Sequence, residues 1–367
     1  VAPDAAFGSI SRACCQSDLD PSPSPPPCYG APIPVTIRAA RIDWKTTMSV
    51  DAGQAVDGLH IPFPSARNPR TELVREPHRD WIDTMGIAPA ATAGIGADLP
   101  LIIGRLYPHA GVDHLALVTD WNCWGFLYDD EFNGSLGALP GTVAASVEGM
   151  IEIICAPAAF RETSEVPLAR ALADMMRRFR DSASAIWFHR FSEHFAAGLT
   201  GFAHHSAARA AGGSTSIEDY LAHRRLDIVS DPLLDFIELT DDCELSPVVH
   251  TSPAMLRLRR AALDIIIMIN DVFSYDKEIR CGDTENAVAV LERSTGLTRE
   301  DATARAIEIA NHNILALVEA AETLPAALRK LDADLDQIDR ALRFLTGVQT
   351  VVKATYDIHL ESARYAE

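Results

Sequence analysis

The sequence predicts an all-α chain folded as an antiparallel helical bundle, on three observations. Apolar or amphipathic stretches of helical period follow one another with Gly, Pro or Ser breaks between them. No alternating strand pattern of convincing length appears, and no segment repeats. In order, the stretches cover roughly 70–86, 97–106, 110–132, 141–156, 167–182, 184–199, 217–225 and 228–241. They continue over roughly 253–279, 286–294, 299–321, 325–345 and 346–362. Such faces bury one another in a bundle, whose facing helices can carry ligand sites.

Before these stretches, Asp18 to Pro34 concentrates prolines and small polar residues, including Pro-Ser-Pro-Ser-Pro-Pro-Pro. That composition cannot hold a helix, so residues 1–57 are expected to be extended or poorly ordered, with the folded domain over 58–367. The formal net charge of −19 argues against a nucleic-acid partner. No apolar segment is long enough for membrane insertion, and the first residues lack a basic-then-apolar signal pattern. The expectation is a soluble, cytoplasmic protein. Seven cysteines at scattered positions, an odd count without zinc spacing, are expected to be reduced thiols.

The most informative run is Asn-Asp-Val-Phe-Ser-Tyr-Asp-Lys-Glu, residues 270–278. Positions four apart share one helix face, so Asn270, Ser274 and Glu278 aim an amide oxygen, a hydroxyl and a carboxylate along one line. Hard oxygen donors without Cys or His suit Mg²⁺, which takes its remaining ligands from water and phosphate. Lys277 adds a positive charge beside them. The preceding Ala261 to Ile269 is almost wholly apolar, and polar groups ending a buried helix are costly unless something pairs with them. A second acidic signature, Asp129-Asp130, follows the aromatic run Trp121, Trp124 and Phe126. Adjacent carboxylates repel each other in a low dielectric, and a divalent cation relieves that repulsion.

With these motifs in their order, the chain resembles the class I terpene synthases, in particular the single-domain bacterial type. The family's aspartate-rich motif is matched by Asp129-Asp130-Glu131-Phe132-Asn133, with Asn133 in place of the last acid. Its second motif is matched at Asn270, Asp271, Ser274, Lys277 and Glu278. Arg224, Asp227 and Ile228 fit the places of the diphosphate sensor, linker and effector, with Arg225 as the alternative sensor. Arg364-Tyr365 matches the terminal pair that donates to diphosphate. Weaker likenesses are Pro62-Phe63-Pro64 with Asn68-Pro69, and Gly282-Asp283 with Asn286. Tyr356 is the nearest aromatic to the place of a Trp common before the terminal pair.

The resemblance implies the isoprenoid-synthase bundle around a central apolar cavity, with both metal motifs at its mouth. It implies Mg²⁺-dependent ionisation and cyclisation of a linear prenyl diphosphate to a cyclic terpene, with farnesyl diphosphate favoured and geranylgeranyl diphosphate second. Three Mg²⁺ are implied: Asp129 bridging two, Asp130 supporting, and Asn270, Ser274 and Glu278 holding the third. Arg224, Lys277, Arg364 and Tyr365 would bind diphosphate, and Asp227 and Ile228 would couple sensing to a helix break. Phe126 shares the helix face of Asp129 and Asp130 and is the candidate for cation stabilisation. The segment 134–141 and the loop at Gly282 are candidate lids, and a homodimer is compatible with the family.

Blander readings compete at several places. Asn270, Ser274 and Glu278 can be a solvated stripe, and Asp129-Asp130 a solvated helix end. Phe188, Phe191 and Phe195 read as core packing, with Trp121 and Trp124 divided between core and cavity. Asp241-Asp242, ahead of Pro247, reads as a solvated loop, and the histidines, His204-His205 among them, show no metal spacing. A chain-elongating prenyl diphosphate synthase and a non-catalytic prenyl-diphosphate-binding module remain the alternative functions.

Overall fold

The helices are set by where apolar faces find partners. The computed structural model describes residues 58–87, 99–132, 139–160, 166–228, 230–280 and 282–361. These belong to one unit, Gly58–Glu367. The first helices are α1 (Thr71–Met85), α2 (Leu99–Leu106), α3 (Val112–Phe132), α4 (Pro140–Cys155) and α5 (Pro167–Ser182). Next come α6 (Ala185–Ala210), α7 (Ile217–Asp227), α8 (Ser230–Thr240) and the single turn α9 (Pro247–His250). The last four are α10 (Pro253–Arg280), α11 (Ala287–Thr295), α12 (Arg299–Arg329) and α13 (Leu335–Glu361). No strand occurs among the described residues.

Helix α10 runs through the middle of the bundle, against α7, α8, α9, α11, α12 and α13. Its all-round burial explains the apolar run broken only by Asp264, since every residue from Ala261 to Ile269 is buried. A second core centres on α3, α5, α6 and α8. There Phe191 stacks on Trp187 at 4.8 Å between ring centroids, Trp121 meets Phe236 at 5.0 Å, and Trp124 meets Phe195 at 5.5 Å. Phe191 and Phe195 are therefore core, as read, and Trp121 and Trp124 join them. Phe188 is only half-buried.

Three boundaries differ from the expected ones. Helix α6 continues past residue 199 to Ala210, because Gly201 is a packing position inside it rather than a break. Helix α12 passes through Pro325 and stops at Arg329. Leu324 and Leu328, one turn apart and both fully buried, hold that turn against the missing hydrogen bond. The chain instead turns at 330–334, where Asp332 takes a left-handed φ of 56°. Helix α13 then runs without a break at 345–346. The expected reduced thiols hold for Cys123 and Cys243, which are buried and free, whereas Cys155 is disulfide-bonded. No described helix is long and apolar enough to cross a membrane.

Candidate active site

The expected ridge lies on the last turns of α10. Ser274 is buried and its hydroxyl has no hydrogen-bond partner, while Asn270, Lys277 and Glu278 are half-buried. An unpaired buried hydroxyl costs about 1–3 kcal/mol, so a missing partner is the economical explanation. A solvated stripe is the wrong description of this face. Asp271 points elsewhere and is wholly buried. The Tyr220 hydroxyl and the Ala287 N–H both donate to its Oδ2, the latter at 2.8 Å. Asp271 thus ties α7 and α11 to α10, and burial pushes its carboxyl up to about 6.

The two adjacent arginines separate. Arg225 makes a two-pronged pair with Asp264, its Nε and Nη2 donating at 2.6 and 3.0 Å. Arg224 turns to the ridge, donating to Asp227 Oδ2 at 2.6 Å and to Asn270 Oδ1 at 3.1 Å. Its Nη2 also lies 3.5 Å from Asp271 Oδ1. Burial raises the Asp227 carboxyl, but the charges of His205 and Arg224 outweigh burial and hold it well below the usual range. Ile228 caps α7, its N–H donating to Arg224 O at 3.0 Å. The expected interruption between the two helices stands between Asp227 and Ser230.

Several contributors were not legible beforehand. His359 of α13 places Nδ1 2.7 Å from Thr355 O, a pure acceptor, so Nδ1 carries the proton. Nε2 is then an acceptor, and Asn270 Nδ2 donates to it at 3.3 Å. That bond turns the Asn270 amide oxygen toward Arg224 and the ridge. Asn286, a weak likeness in the sequence, caps α11 and donates to Glu278 Oε2 at 2.9 Å. His205 faces Asp227 and Asp283. For His359 and His205 the only signal was a histidine on a helix, which by itself points nowhere.

The aspartate wall ends α3. Asp129 is half-buried, as is Phe126 four positions after Asn122 on the same helix. The side chain of Asp130, and residues Asn133, Arg364 and Tyr365, lie outside the described residues, as does most of the 134–141 segment. The ring of Tyr128, next to Asp129, stacks on Trp124 at 4.9 Å and meets Phe202 of α6 edge-on at 5.5 Å. Gly201, adjacent to Phe202, touches the backbone at 226–227, where an added Cβ would stand 2.3 Å from Asp227 N. The end of α3 and the Arg224–Asp227–Asn270 node therefore reach the same turn of α6.

Two other acidic places do not join this site. Asp242 is exposed in the turn after α8, as read, but Asp241 is half-buried and its carboxyl is raised by burial. His194, Asp235 and His250 offer ligand atoms within 4.8 Å of one another. Arg259 already donates to Asp235 at 2.9 Å, and burial, reinforced by the charges of Arg259 and Arg190, holds His250 down to about 2. Cations so close disfavour a divalent ion there.

Residues 120–314 match the family model "Terpene synthase family 2, C-terminal metal binding". The chain belongs to the class I terpene synthases. It is 29% identical to pristinol synthase of Streptomyces pristinaespiralis over 88% of either chain. It is 30% identical to a (−)-β-caryophyllene synthase of Saccharothrix espanaensis, described as (2E,6E)-farnesyl diphosphate cyclizing, over 84% of this chain and 88% of that one. Among solved structures, germacradien-4-ol synthase from Streptomyces citricolor superposes with a TM-score of 0.73 at 26% identity, covering 83% of this chain and 98% of that one. A terpene synthase is a lyase that cyclises a prenyl diphosphate, and its matched domain binds metal. Neither chain elongation nor a passive binding module fits this membership.

Proposed function

We propose that the chain converts farnesyl diphosphate to a cyclic sesquiterpene, with geranylgeranyl diphosphate as the second substrate choice and 58–367 as the catalytic domain. The unpartnered Ser274 hydroxyl between Asn270 and Glu278, with Arg224 donating to the neighbouring Asn270, carries this reading. The relative described as acting on farnesyl diphosphate supports the chain length.

The donor set is all hard oxygen, which fits Mg²⁺, and the family resemblance implies three ions per site. Asn270 Oδ1, Ser274 Oγ and Glu278 would hold one, and Asp129, supported by Asp130, the others. When bound, the metal supplies Lewis-acid stabilisation of the charge that grows on diphosphate as the C–O bond breaks. Arg224, Lys277, Arg364 and Tyr365 bind the diphosphate from the protein side. Arg224 presently donates to Asn270 Oδ1, so turning its guanidinium to diphosphate frees that oxygen. His359 keeps the freed oxygen pointed at the site. Asp227 and Ile228 transmit the movement of Arg224 to the α7–α8 break, and Phe126 offers its ring face to the allyl cation. The apolar cavity that the family resemblance implies would exclude water until the cascade ends.

The test incubates purified protein with Mg²⁺ and the C10, C15 and C20 diphosphates in turn, followed by mass spectrometry of the extract. A cyclic C15 hydrocarbon or alcohol is expected, and chelation by EDTA abolishes it. Product formed only when isopentenyl diphosphate is added would overturn the reading.

A further inference from the structure

His205 lies between two carboxylates from different elements. Its Nδ1 is 3.0 Å from Asp227 Oδ2, and its Nε2 is 3.0 Å from Asp283 Oδ2. Both ring nitrogens facing acceptors requires both to carry hydrogen, which is the imidazolium form. Burial opposes that charge, but Asp227 and Asp283 outweigh it and raise His205 to about 10. Arg209 approaches Asp283 at 3.5 Å, and Tyr220, His223, Arg224 and Glu285 line the small cavity beside the ring.

The backbone is arranged for this contact. Gly201 precedes His205 by one helical turn on the same face of α6, and a Cβ there would stand 2.5 Å from Asp227 Cα. Only glycine lets the end of α7 lie so close, and that approach brings the Asp227 carboxylate within reach of the imidazole. On the other side, the Asp283 N–H donates to Glu278 O at 2.9 Å, and Asn286 of the same loop donates to Glu278 Oε2. A closed circuit results: Asn270, Arg224, Asp227, His205, Asp283 and Glu278. It starts and ends on the two outer ligands of the α10 ridge.

We propose that His205 is a positioning residue that holds Asp227 in place when Arg224 turns to diphosphate, and couples that movement through Asp283 to the loop supporting Glu278. Without His205, Asp227 would be a buried carboxylate with one partner, and would follow Arg224 instead of transmitting its displacement. The inference rests on the terpene-cyclising site described above and adds a link that its metal and diphosphate ligands do not contain.

Steady-state pyrophosphate release and product ratios, measured on the full chain with Mg²⁺ and farnesyl diphosphate, test it. His205→Gln, uncharged and able to reach only one carboxylate, lowers kcat by about 10²-fold, the scale of a small misplacement in a catalytic constellation. KM moves far less, and the share of uncyclised product rises. His205→Arg, a permanent cation with a forked donor set, recovers most of kcat and the product ratio. Asp283→Asn lowers kcat in the same sense, and adding it to His205→Gln costs little more, because both cut one circuit. Wild-type kcat and product ratio in His205→Gln overturn the inference, as does an Arg variant no better than Gln. Should His205→Gln fail to fold, unchanged kinetics in Asp283→Asn overturn it. If the wild-type chain releases no pyrophosphate from any of the three diphosphates, the function itself falls and the inference with it. Activity in the wild type with silent variants removes the inference alone.

Discussion

Two buried charge networks hang from α6, and their contrast separates function from support. His205 and His194 stand about three turns apart on that helix, and each grips an aspartate, His205 the one that ends α7 and His194 one inside α8. His194 donates to Asp235, which also takes Arg259 at 2.9 Å; Arg259 reaches Asp231 at 2.8 Å, and Arg190 pairs with Glu238. Asp235 and Glu238 are sealed from solvent, and basic and acidic groups face one another on α6, α8 and α10. Around Asp227 the same chemistry is left open on one side. Asn270, Lys277 and Glu278 keep partial exposure, and the Ser274 hydroxyl has no partner. Both networks keep buried polar atoms without partners, Glu238 Oε1 in the first and Ser274 Oγ in the second, so what separates them is that only the second borders partly exposed oxygen donors.

Substitutions should break this contrast in opposite ways. Replacing Asn270 and Ser274 together with Ala should cost on the order of 10³-fold in turnover, as for other preorganised charge-stabilising groups, while the thermal midpoint barely moves. A pyrophosphate-release assay beside a melting curve reads both. In the sealed network, Arg259→Met strands Asp231 and leaves Asp235 with His194 alone, and urea unfolding should show a loss of about 3–5 kcal/mol. The kcat per folded molecule should survive. A large drop in kcat with unchanged stability would reverse the assignment of this network to support.

A smaller effect sharpens the boundary between the two. Tyr220→Phe removes the hydroxyl that satisfies Asp271 and should cost about 1–3 kcal/mol by urea melt. The pH dependence is the finest discriminator. His205 is raised from 6.5 to about 10 in the folded chain, so its contribution is complete below 6.5 and fades as pH climbs toward 10. Burial raises Glu238 from 4.5 to about 7, so its contribution is complete below 4.5 and is lost through the lower window up to 7. His205→Gln should therefore flatten stability against wild type only in the upper window, and Glu238→Gln only in the lower. Equal flattening in both windows would merge the networks.

Much of this was readable from residue order. The four-residue spacing of Asn270, Ser274 and Glu278 survives because an α-helix converts spacing into a shared face whatever surrounds it. The apolar run before them announced a buried helix for the same reason. Pro325 misled, since its local cost was outweighed by two buried leucines that no window of sequence reveals as partners. Gly201 misled likewise, because close packing and chain breaks both select glycine.

Local periodicity thus sufficed for the helical class and the oxygen-donor ridge, both of which depend on neighbours within a few residues, while the order of the motifs along the chain carried the family resemblance. Which arginine faces the ridge, which way the Asn270 amide turns, and what His205 joins depend on atoms more than twenty residues apart in the chain. Those contacts exist only once burial has chosen partners. Desolvation is what makes the choice: a charge withdrawn from water must pair with whatever the packed helices bring beside it.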